Sequence, residues 1–178
     1  MKILVASDIH GSAYYAKKLK ERIEKETPDQ IILLGDLYYH GPRNQLGMEY
    51  APMEVAKILN SYKNIIVSTR GNCDAEVDMM ISEFEFKESI EKTINGKKFF
   101  FSHGHKYNRD SYPNSDFDIM VYGHFHTGFI EKENGKIFVN SGSVSLPKNG
   151  TKNSYLIIDE NTIWLKDIDG NVIEKEEL

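Results

Sequence analysis

The feature that most constrains the fold of this chain is an apolar run that ends on a carboxylate, Ile31-Ile32-Leu33-Leu34-Gly35-Asp36. Four large apolar residues in succession are typical of a strand that is covered on both faces. Gly35 allows the backbone to turn, so Asp36 is expected at the carboxyl edge of the sheet, where open α/β sheets bind their ligands. The run therefore predicts a buried strand with a polar site at its end.

Other strand-like segments also end on residue types that bind metal ions. They are Ser7-Asp8-Ile9-His10, Gly71-Asn72, Ser102-His103-Gly104-His105 and Gly123-His124-Phe125-His126. Every histidine except His40 falls in these segments, which is hard to reconcile with scattered surface or core histidines. Residues two apart in an extended strand end point to the same side, so Asp8 and His10 are predicted to face one ion together, as are His124 and His126.

Together with Asp36 and Asn72, these histidines and Asp8 form a set of oxygen and imidazole ligands without a thiolate. Such a set suits divalent ions such as manganese, iron, zinc, cobalt and nickel. Asp8 or Asp36 alone would more often cap a helix or a turn, but the whole set favours a metal site. The ligands are too many for one ion. Two ions that share a carboxylate such as Asp36 are therefore expected.

Length and composition place the chain among ordinary globular proteins. With 178 residues, 40% hydrophobic and 28% charged, residues 1–178 are predicted to form a single domain. A net charge of −5 and a pI of about 5.7 argue against an extended surface for nucleic acid. Any phosphate chemistry therefore needs a local source of positive charge, which metal ions would supply.

Cellular location is inferred from cysteine content and from apolar segments. The single cysteine, Cys73, rules out an internal disulfide and suits a reducing compartment. The amino terminus lacks a signal-peptide pattern, and no stretch approaches the ~20 apolar residues of a membrane helix. We therefore expect a cytoplasmic protein without a membrane partner.

The first half of the chain alternates strands and helices, whereas the second half consists of hairpins. Residues 2–6, 12–26 and 31–34 are predicted as strand, helix and strand, which favours parallel pairing. Pro52 suits the start of a second helix, and residues 65–68 a third strand. Further strands are predicted at 89–94 and 97–102, at 117–122, at 129–133 and 136–140, and at 155–158 and 162–166. The charged tail 174–177 is expected to be frayed. This order predicts an α/β (α+β) fold, a four-layer αββα sandwich of two mixed β-sheets flanked by helices.

The order and completeness of these motifs resemble those of calcineurin-type metallophosphoesterases, in particular the small single-domain branch of YfcE-like phosphodiesterases. The motifs that carry the resemblance are Ser7-Asp8-Ile9-His10-Gly11, Gly35-Asp36, His40-Gly41-Pro42-Arg43-Asn44, Arg70-Gly71-Asn72-Cys73-Asp74, His103-Gly104-His105, Gly123-His124-Phe125-His126 and Asn140-Ser141-Gly142-Ser143. The family implies the metallophosphoesterase version of the sandwich described above.

The resemblance also implies roles for individual residues. One ion would be held by Asp8, His10, Asp36 and His126, and the second by Asp36, Asn72, His103 and His124. The implied reaction is hydrolysis of a phosphodiester by a hydroxide that bridges the two ions. Asp36, Asn72 and His103 would hold the attacking water and the phosphate through the metals. Manganese is the ion that the resemblance favours, while nickel, cobalt, zinc, magnesium and iron suit the same ligands.

Cys73 follows Asn72, where larger phosphatases of the superfamily carry a histidine that assists the leaving group. The YfcE-like branch shares this cysteine, so better activity is expected on esters whose alcohols are acidic. Asn72, Cys73 and His105 are the candidate substrate contacts. Cys73 could equally be a small buried hydrophobe, and His105 could face solvent. For His40 and Arg43, substrate binding and a purely structural role are equally compatible with the sequence.

Three functions are compatible with the motifs. The first is a phosphodiesterase that acts on small diesters. The second is a non-catalytic metal-binding scaffold for protein interaction, because the same fold serves the retromer coat, where the ligand set is incomplete. The third is a phosphomonoesterase or nucleotidase with the same metal centre. The complete ligand set favours the first function over the second, and a homodimer or larger homo-oligomer is expected from the family's small members.

Overall fold

The computed structural model describes all 178 residues as two β-sheets that pack face to face, with three helices. The elements in chain order are β1 (Ile3–Ala6), α1 (Ala13–Glu26), β2 (Gln30–Leu33), α2 (Pro52–Asn60), β3 (Ile66–Thr69), α3 (Glu76–Ile81), β4 (Glu85–Lys87), β5 (Ile90–Ile94), β6 (Lys97–Phe101), β7 (Ile119–Tyr122), β8 (Phe129–Glu133), β9 (Lys136–Asn140), β10 (Ser154–Asp159), β11 (Thr162–Asp167) and β12 (Val172–Glu177). None of the helices is long and apolar enough to span a membrane.

Both sheets are mixed, as predicted. The seven-stranded sheet has the order β12-β11-β10-β1-β2-β3-β4, in which β1 to β4 are parallel and β10 to β12 antiparallel. The five-stranded sheet has the order β5-β6-β7-β9-β8, with β6, β7 and β9 parallel. The carboxyl ends of the parallel strands in each sheet therefore lie at one edge, which is where the chain leaves the sheet for the loops of the site.

The apolar runs of β1 and β2 are buried on both faces. Leu4 and Ile31 face α1 and α2 in one hydrophobic cluster, whereas Val5 and Ile32 face the five-stranded sheet in another. Alternate side chains of a strand point to opposite sides, so a strand between two cores needs apolar residues at every position. This requirement explains why the apolar run at residues 31–34 is uninterrupted.

The outer layer of the five-stranded sheet differs from the expected αββα arrangement. Phe100, Met120, Tyr122 and Phe138 form an aromatic cluster on this face with Phe117. The loop residue Tyr107 and the strand residue Phe129 pack against this cluster, and no helix does. The helices α1 and α2 both lie on the outer face of the seven-stranded sheet. An aromatic-rich loop thus replaces the second helical layer.

The other predicted elements occur within one or two residues of their expected bounds, but three elements were not predicted. They are α3, β4 and β12. The expectation of a frayed tail is wrong, because residues 172–177 pair with β11 as an edge strand. Lys175 of this strand lies with its Nζ 5.4 Å from the ring centre of Trp164. A charged, exposed sequence is typical of an edge strand, since the charges discourage pairing with another chain.

Candidate metal centre

All seven predicted ligands lie in loops that follow parallel strands, at the edge where the two sheets meet. Asp8 and His10 follow β1, Asp36 follows β2, Asn72 follows β3, His103 follows β6, and His124 and His126 follow β7. The ligands come from five separate segments, so only the packing of the two sheets brings them together.

The backbone that presents most of these ligands is left-handed rather than extended. The φ angle is 57° at Asp8, 47° at His10, 55° at Asp36, 64° at His124 and 59° at His126. The predicted extended conformation of these strand ends is therefore wrong, although Asp8 and His10 do lie in one group of candidate ligands as predicted. Asp and His are among the residues that adopt this conformation more readily than other non-glycine types.

The first group of candidate ligands consists of Asp8, His10 and His126, all of which are buried. Oδ1 of Asp8 lies 3.2 Å from Nε2 of His126 and 3.5 Å from Nε2 of His10. The two Nε2 atoms are 3.2 Å apart. Three ligand atoms at these separations surround a volume that one cation can occupy.

The second group consists of Asp36, His103 and His124, with Asn72 beside them. Nε2 of His103 lies 3.4 Å from Oδ2 of Asp36, 3.2 Å from Nδ1 of His124 and 3.1 Å from Oδ1 of Asn72. His124 therefore faces a different group from His126. The two histidines do not form the shared pincer that the local argument predicted.

Asp36 lies between the two groups. Its Oδ2 is 3.4 Å from Nε2 of His103 in the second group and 3.7 Å from Nε2 of His10 in the first. Its other oxygen, Oδ1, accepts a hydrogen bond of 2.8 Å from the backbone N–H of Cys73. One oxygen is thus fixed by the backbone while the other faces both groups.

Hydrogen bonds to backbone carbonyls orient three of the four histidines. Nδ1 of His10 donates to the carbonyl of Tyr39 at 2.7 Å, and Nδ1 of His103 donates to the carbonyl of Leu34 at 2.7 Å. Nδ1 of His126 donates to the carbonyl of Leu146 at 2.6 Å. A carbonyl partner fixes the tautomer, so the lone pair of each Nε2 atom points into the centre.

The chemistry of the ligand atoms fits a cation between them. Oδ1 of Asp8 is buried and has no hydrogen-bond partner, which is costly for a carboxylate oxygen. Nε2 of His10 and Nε2 of His126 face each other as two acceptors, because both Nδ1 atoms are already donors. Acceptors that converge in this way need a cation or a proton between them, and divalent metal ions suit this nitrogen and oxygen set.

The acidities of the buried groups follow from the same contacts. Burial alone would raise the pKa of Asp8, but the close contacts with His10 and His126 hold it well below its usual value. Burial would lower the pKa of His103, but the hydrogen bond with Asp36 and the nearby carboxylate charges raise it to about 9. Burial and the neighbouring His103 lower the pKa of His124 to about 4. At neutral pH His124 is therefore neutral, and the proton that His103 keeps is the one that a divalent cation on its Nε2 would displace.

Asp74 is a functional residue whose role the sequence argument did not identify, although the residue lies in a motif. Its carboxylate accepts backbone N–H groups of Asp36 at 2.8 Å, Leu37 at 3.0 Å and Gly71 at 2.7 Å. These bonds join the turn that carries Asp36 to the turn that carries Asn72. The signal in the sequence was an acidic residue two positions after Asn72, a spacing that does not by itself specify a partner.

Two serines support the loop of Asp8. Oγ of Ser143 donates to the carbonyl of Asp8 at 2.7 Å, and Oγ of Ser145 donates to the same carbonyl at 3.1 Å. The turn at residues 140–143 therefore supports the loop that carries Asp8. Ser145 was not predicted, because one more serine in a polar turn gives no distinctive pattern.

Two glycines are required by close approach of the ligand carboxylates. A Cβ atom on Gly71 would lie 2.1 Å from Oδ1 of Asp36, and one on Gly123 would lie 2.7 Å from Oδ2 of Asp8. No side chain fits at either distance. Glycine is thus needed at the positions before Asn72 and His124, because any side chain there would collide with a ligand carboxylate.

The centre opens into a cleft of about 810 Å³ lined by residues of both groups and by Tyr39, Arg43, Cys73, Phe125 and Lys148. Cys73 is half-buried in this wall, and burial together with the charge of Asp36 raises the pKa of its thiol to about 12.

Two further histidines, His105 and His40, lie outside the lining of this cleft. The ring of His105 is exposed, and its centre is 5.3 Å from that of His103. The ring of His40 packs between Tyr39 and Tyr50. His40 thus packs outside the cleft lining, whereas Arg43 lines the cleft.

Comparison with proteins of known sequence gives a consistent result. Residues 1–162 match the family model of the calcineurin-like phosphoesterase superfamily domain. Phosphodiesterase YfcE of Escherichia coli K12 is 38% identical over 166 residues, which cover 92% of this chain and 90% of that protein. The probable metallophosphoesterase YsnB of Bacillus subtilis is 26% identical and covers 98% of this chain and 95% of its own length.

Solved structures show the same relationship. The structure of the E. coli phosphoesterase YfcE has a TM-score of 0.95 and 33% identity, and the match covers 99% of both chains. Vps29 from Entamoeba histolytica has a TM-score of 0.67 and 21% identity over 100% of this chain and 99% of its own, which shows a shared fold. The chain therefore belongs to the calcineurin-like phosphoesterase superfamily.

Proposed function

We propose that this chain is a metal-dependent phosphodiesterase with two divalent ions, and that residues 1–178 act as one catalytic domain. The observation that carries the proposal is the position of Asp36, whose Oδ2 faces histidines of both ligand groups. The assigned ligands are Asp8, His10, Asp36 and His126 for the first ion, and Asp36, Asn72, His103 and His124 for the second. The E. coli relative YfcE is a phosphodiesterase, which supports this reaction class.

Two bound divalent ions supply a water molecule of lowered pKa and positive charge for the phosphoryl oxygens. The residues of this chain position both reactants. Oδ1 of Asn72 faces the second group, while its Nδ2 lies 3.3 Å from Sγ of Cys73 in the cleft wall. Asn72 is exposed, so its amide can donate to a phosphoryl oxygen as well as bind an ion.

The leaving group receives little help from the chain. The thiol of Cys73 stays protonated at neutral pH because burial and Asp36 raise its pKa to about 12. A neutral thiol of this kind is a weak proton donor, and no histidine stands at this position. Esters whose alcohols are already acidic, such as nitrophenyl esters, are therefore the expected substrates for a first assay.

Manganese is the proposed ion, and nickel, cobalt, zinc, magnesium and iron are the ions to compare with it. A small phosphodiester, rather than an extended nucleic acid, is the proposed substrate. The reducing environment implied by the single Cys73 supports a cytoplasmic location. Assembly into a homodimer or larger homo-oligomer is part of the same proposal.

The test is hydrolysis of bis-p-nitrophenyl phosphate by metal-stripped protein to which manganese, nickel, cobalt, magnesium or zinc is returned singly. Metal-dependent turnover that His126→Ala loses is the expected result. Comparison with p-nitrophenyl phosphate separates a diesterase from a monoesterase. Two ions bound per chain without turnover on either ester would instead favour the non-catalytic scaffold, a function that the shared fold of Vps29 makes relevant.

A further inference from the structure

Two cations on the wall of the cleft have no anionic partner in the protein. Arg43 and Lys148 line the cleft and are exposed, and neither side chain forms an ion pair or a hydrogen bond. Most other lysines and arginines of this acidic chain pair with a carboxylate, as Lys17 does with Glu49 and Lys98 with Asp116. The unpaired pair is thus available to an anion in the cleft.

The two cations lie in different loops beside the metal centre. The backbone N–H of Lys148 donates to the carbonyl of His126 at 2.9 Å, which places this residue beside the first group. Arg43 lies in the turn that Asn44 closes by donating from Nδ2 to the carbonyl of His40 at 2.8 Å. In the same turn a Cβ on Gly41 would lie 3.3 Å from Sγ of Cys73, which lies close to Asp36 and His10, so the turn packs beside the centre.

The wall of the cleft also carries two exposed aromatic side chains. Tyr39 is 41% exposed and Phe125 is 45% exposed, although aromatic rings of this size are usually more deeply buried. The carbonyl of Tyr39 holds His10, and the ring of Phe125 lies edge-on to His124 with centres 5.2 Å apart. The ring of Phe125 therefore stands next to a ligand, and Tyr39 lines the same cleft from the residue whose carbonyl orients His10.

The charge balance at the centre indicates what the cations bind. Two divalent ions with the carboxylates of Asp8 and Asp36 and a bound hydroxide would give a net positive charge that already balances the single negative charge of a phosphodiester. Further cations add little to the binding of that group, but they complement a second anionic group on the substrate. A cleft of about 810 Å³ lies in the range that holds a ligand with two ring-bearing arms.

We propose that the substrates are small nucleotide diesters that carry a second, non-scissile phosphate bound by Arg43 and Lys148, with bases against Tyr39 and Phe125. This inference rests on the proposed phosphodiesterase function and specifies its substrate class. For a 5′-phosphorylated dinucleotide such as pApA, one water is consumed and the P–O3′ bond breaks. The leaving O3′ takes the proton that the attacking water loses, and two molecules of AMP form. Because this alcohol is less acidic than nitrophenol, slower turnover than with bis-p-nitrophenyl phosphate is expected.

The test compares pApA with ApA, which has the same scissile bond but lacks the terminal phosphate. The full chain is assayed with manganese, and the ratio of kcat/KM for the two dinucleotides is measured. A ratio of at least about tenfold in favour of pApA is expected, since charge-assisted hydrogen bonds to phosphate are strong. In the double variant Arg43→Gln, Lys148→Gln the ratio should fall to near one.

A matched control is Lys57→Gln, which removes an exposed, unpaired lysine of α2 outside the cleft. This control should keep the wild-type ratio. Phe125→Leu should lower kcat/KM for both dinucleotides severalfold while the ratio stays high, because the ring contacts a base that both substrates share.

Three outcomes would overturn the inference. They are a wild-type ratio near one, an unchanged ratio in the double variant, and cleavage of bis-p-nitrophenyl phosphate without cleavage of either dinucleotide. In each of these outcomes a phosphodiester is still cleaved, either a dinucleotide or bis-p-nitrophenyl phosphate. The phosphodiesterase proposal therefore stands. If no diester is cleaved with any ion, both proposals are wrong.

Discussion

At the scale of single residues, the centre combines unfavourable backbone conformations with strong hydrogen bonds that hold them. Asp8, Asp36 and His126 adopt left-handed conformations, each of which costs on the order of 1–3 kcal/mol unless the surroundings enforce it. The surroundings do so here, since Asp74 fixes the turn of Asp36 and Ser143 fixes the loop of Asp8. The conformations direct the carboxylates toward the centre, so the strain serves the site.

Removal of the shared carboxylate should empty the centre. Asp36→Asn replaces an oxygen that faces both groups with a neutral amide, so both ions should be lost. Activity should fall by more than the roughly 10–100-fold that loss of an outer partner costs.

His126→Ala should weaken the binding of mainly one ion, because His126 contacts only the first group. Metal content per chain, measured by plasma mass spectrometry after dialysis, checks both; near wild-type turnover of Asp36→Asn would exclude a bridging role.

Asp74→Asn should destabilise the site through the backbone. An amide can accept with only one of its two head-group atoms, so at least one of the buried N–H groups of Asp36, Leu37 and Gly71 loses its partner. The expected cost is about 1–3 kcal/mol of unfolding free energy, measured by urea denaturation. Asp116→Asn, at an exposed ion pair with Lys98, is the control and should cost less than about 1 kcal/mol. Equal losses in both variants would contradict the positioning role.

At the scale of elements, the site depends on where parallel strands end. β1, β2 and β3 of one sheet and β6 and β7 of the other all deliver a ligand within a few residues of their carboxyl ends. The helix α1 is held on the first sheet at its last residue, Glu26. Its carboxylate accepts from Lys166 at 2.7 Å and from Tyr155 at 3.0 Å. This contact ties the helix to two antiparallel strands.

The docking of α1 should depend on pH through Glu26. Burial alone would raise the pKa of this carboxyl, but the hydrogen bond and charge of Lys166 bring it below its usual value. A lowered pKa in the folded state stabilises the protein above the unfolded value of about 4.5, and this contribution is lost as the pH falls through the folded pKa. The stability difference between wild type and Glu26→Gln should therefore be constant above pH 6 and shrink toward pH 3.

Chemical denaturation at several pH values measures this difference. Glu160→Gln serves as the control, because Glu160 is exposed and forms no ion pair. A difference between wild type and Glu26→Gln that does not change between pH 6 and pH 3 would show that Glu26 contributes through packing rather than through charge.

At the scale of the whole molecule, the two sheets are joined by an apolar core at their centres and by the ligand groups at one edge. The first group, for example, brings Asp8 and His10 of the seven-stranded sheet into contact with His126 of the five-stranded sheet. Without ions, buried acceptors face one another across this junction. Ions would therefore stabilise the contact between the sheets as well as supply chemistry.

Metal removal should lower the melting temperature. An ion that binds only the folded state at 100 times its Kd adds about 2.7 kcal/mol, which raises Tm by roughly 5–10 °C for a chain of this size. Differential scanning calorimetry of chelator-treated protein with and without manganese measures the shift. Asp36→Asn should show no such shift, and an equal Tm of wild type with and without saturating manganese would contradict a metal that joins the sheets.

Much of the fold, and the strand ends that carry the candidate ligands, could be predicted from sequence, for local reasons. Apolar runs, hairpin turns and a proline at the start of α2 reflect the backbone near each residue, and the corresponding elements occur within one or two residues of their predicted bounds. The short α3 and β4 and the charged β12 have no such pattern. Each is stabilised by its neighbours in space, as β12 is by pairing with β11.

The sequence by itself determined which residue types end the strands, because a run buried on both faces must be apolar and must stop where a polar site begins. The tertiary structure alone decided how these residues are grouped. His124 and His126 are two positions apart but face different groups, since left-handed turns, rather than an extended strand, set their directions. The tertiary structure also decided which backbone groups form hydrogen bonds with Asp74 and Ser143. These contacts join segments distant in the chain, and no local pattern records a distance across two packed sheets.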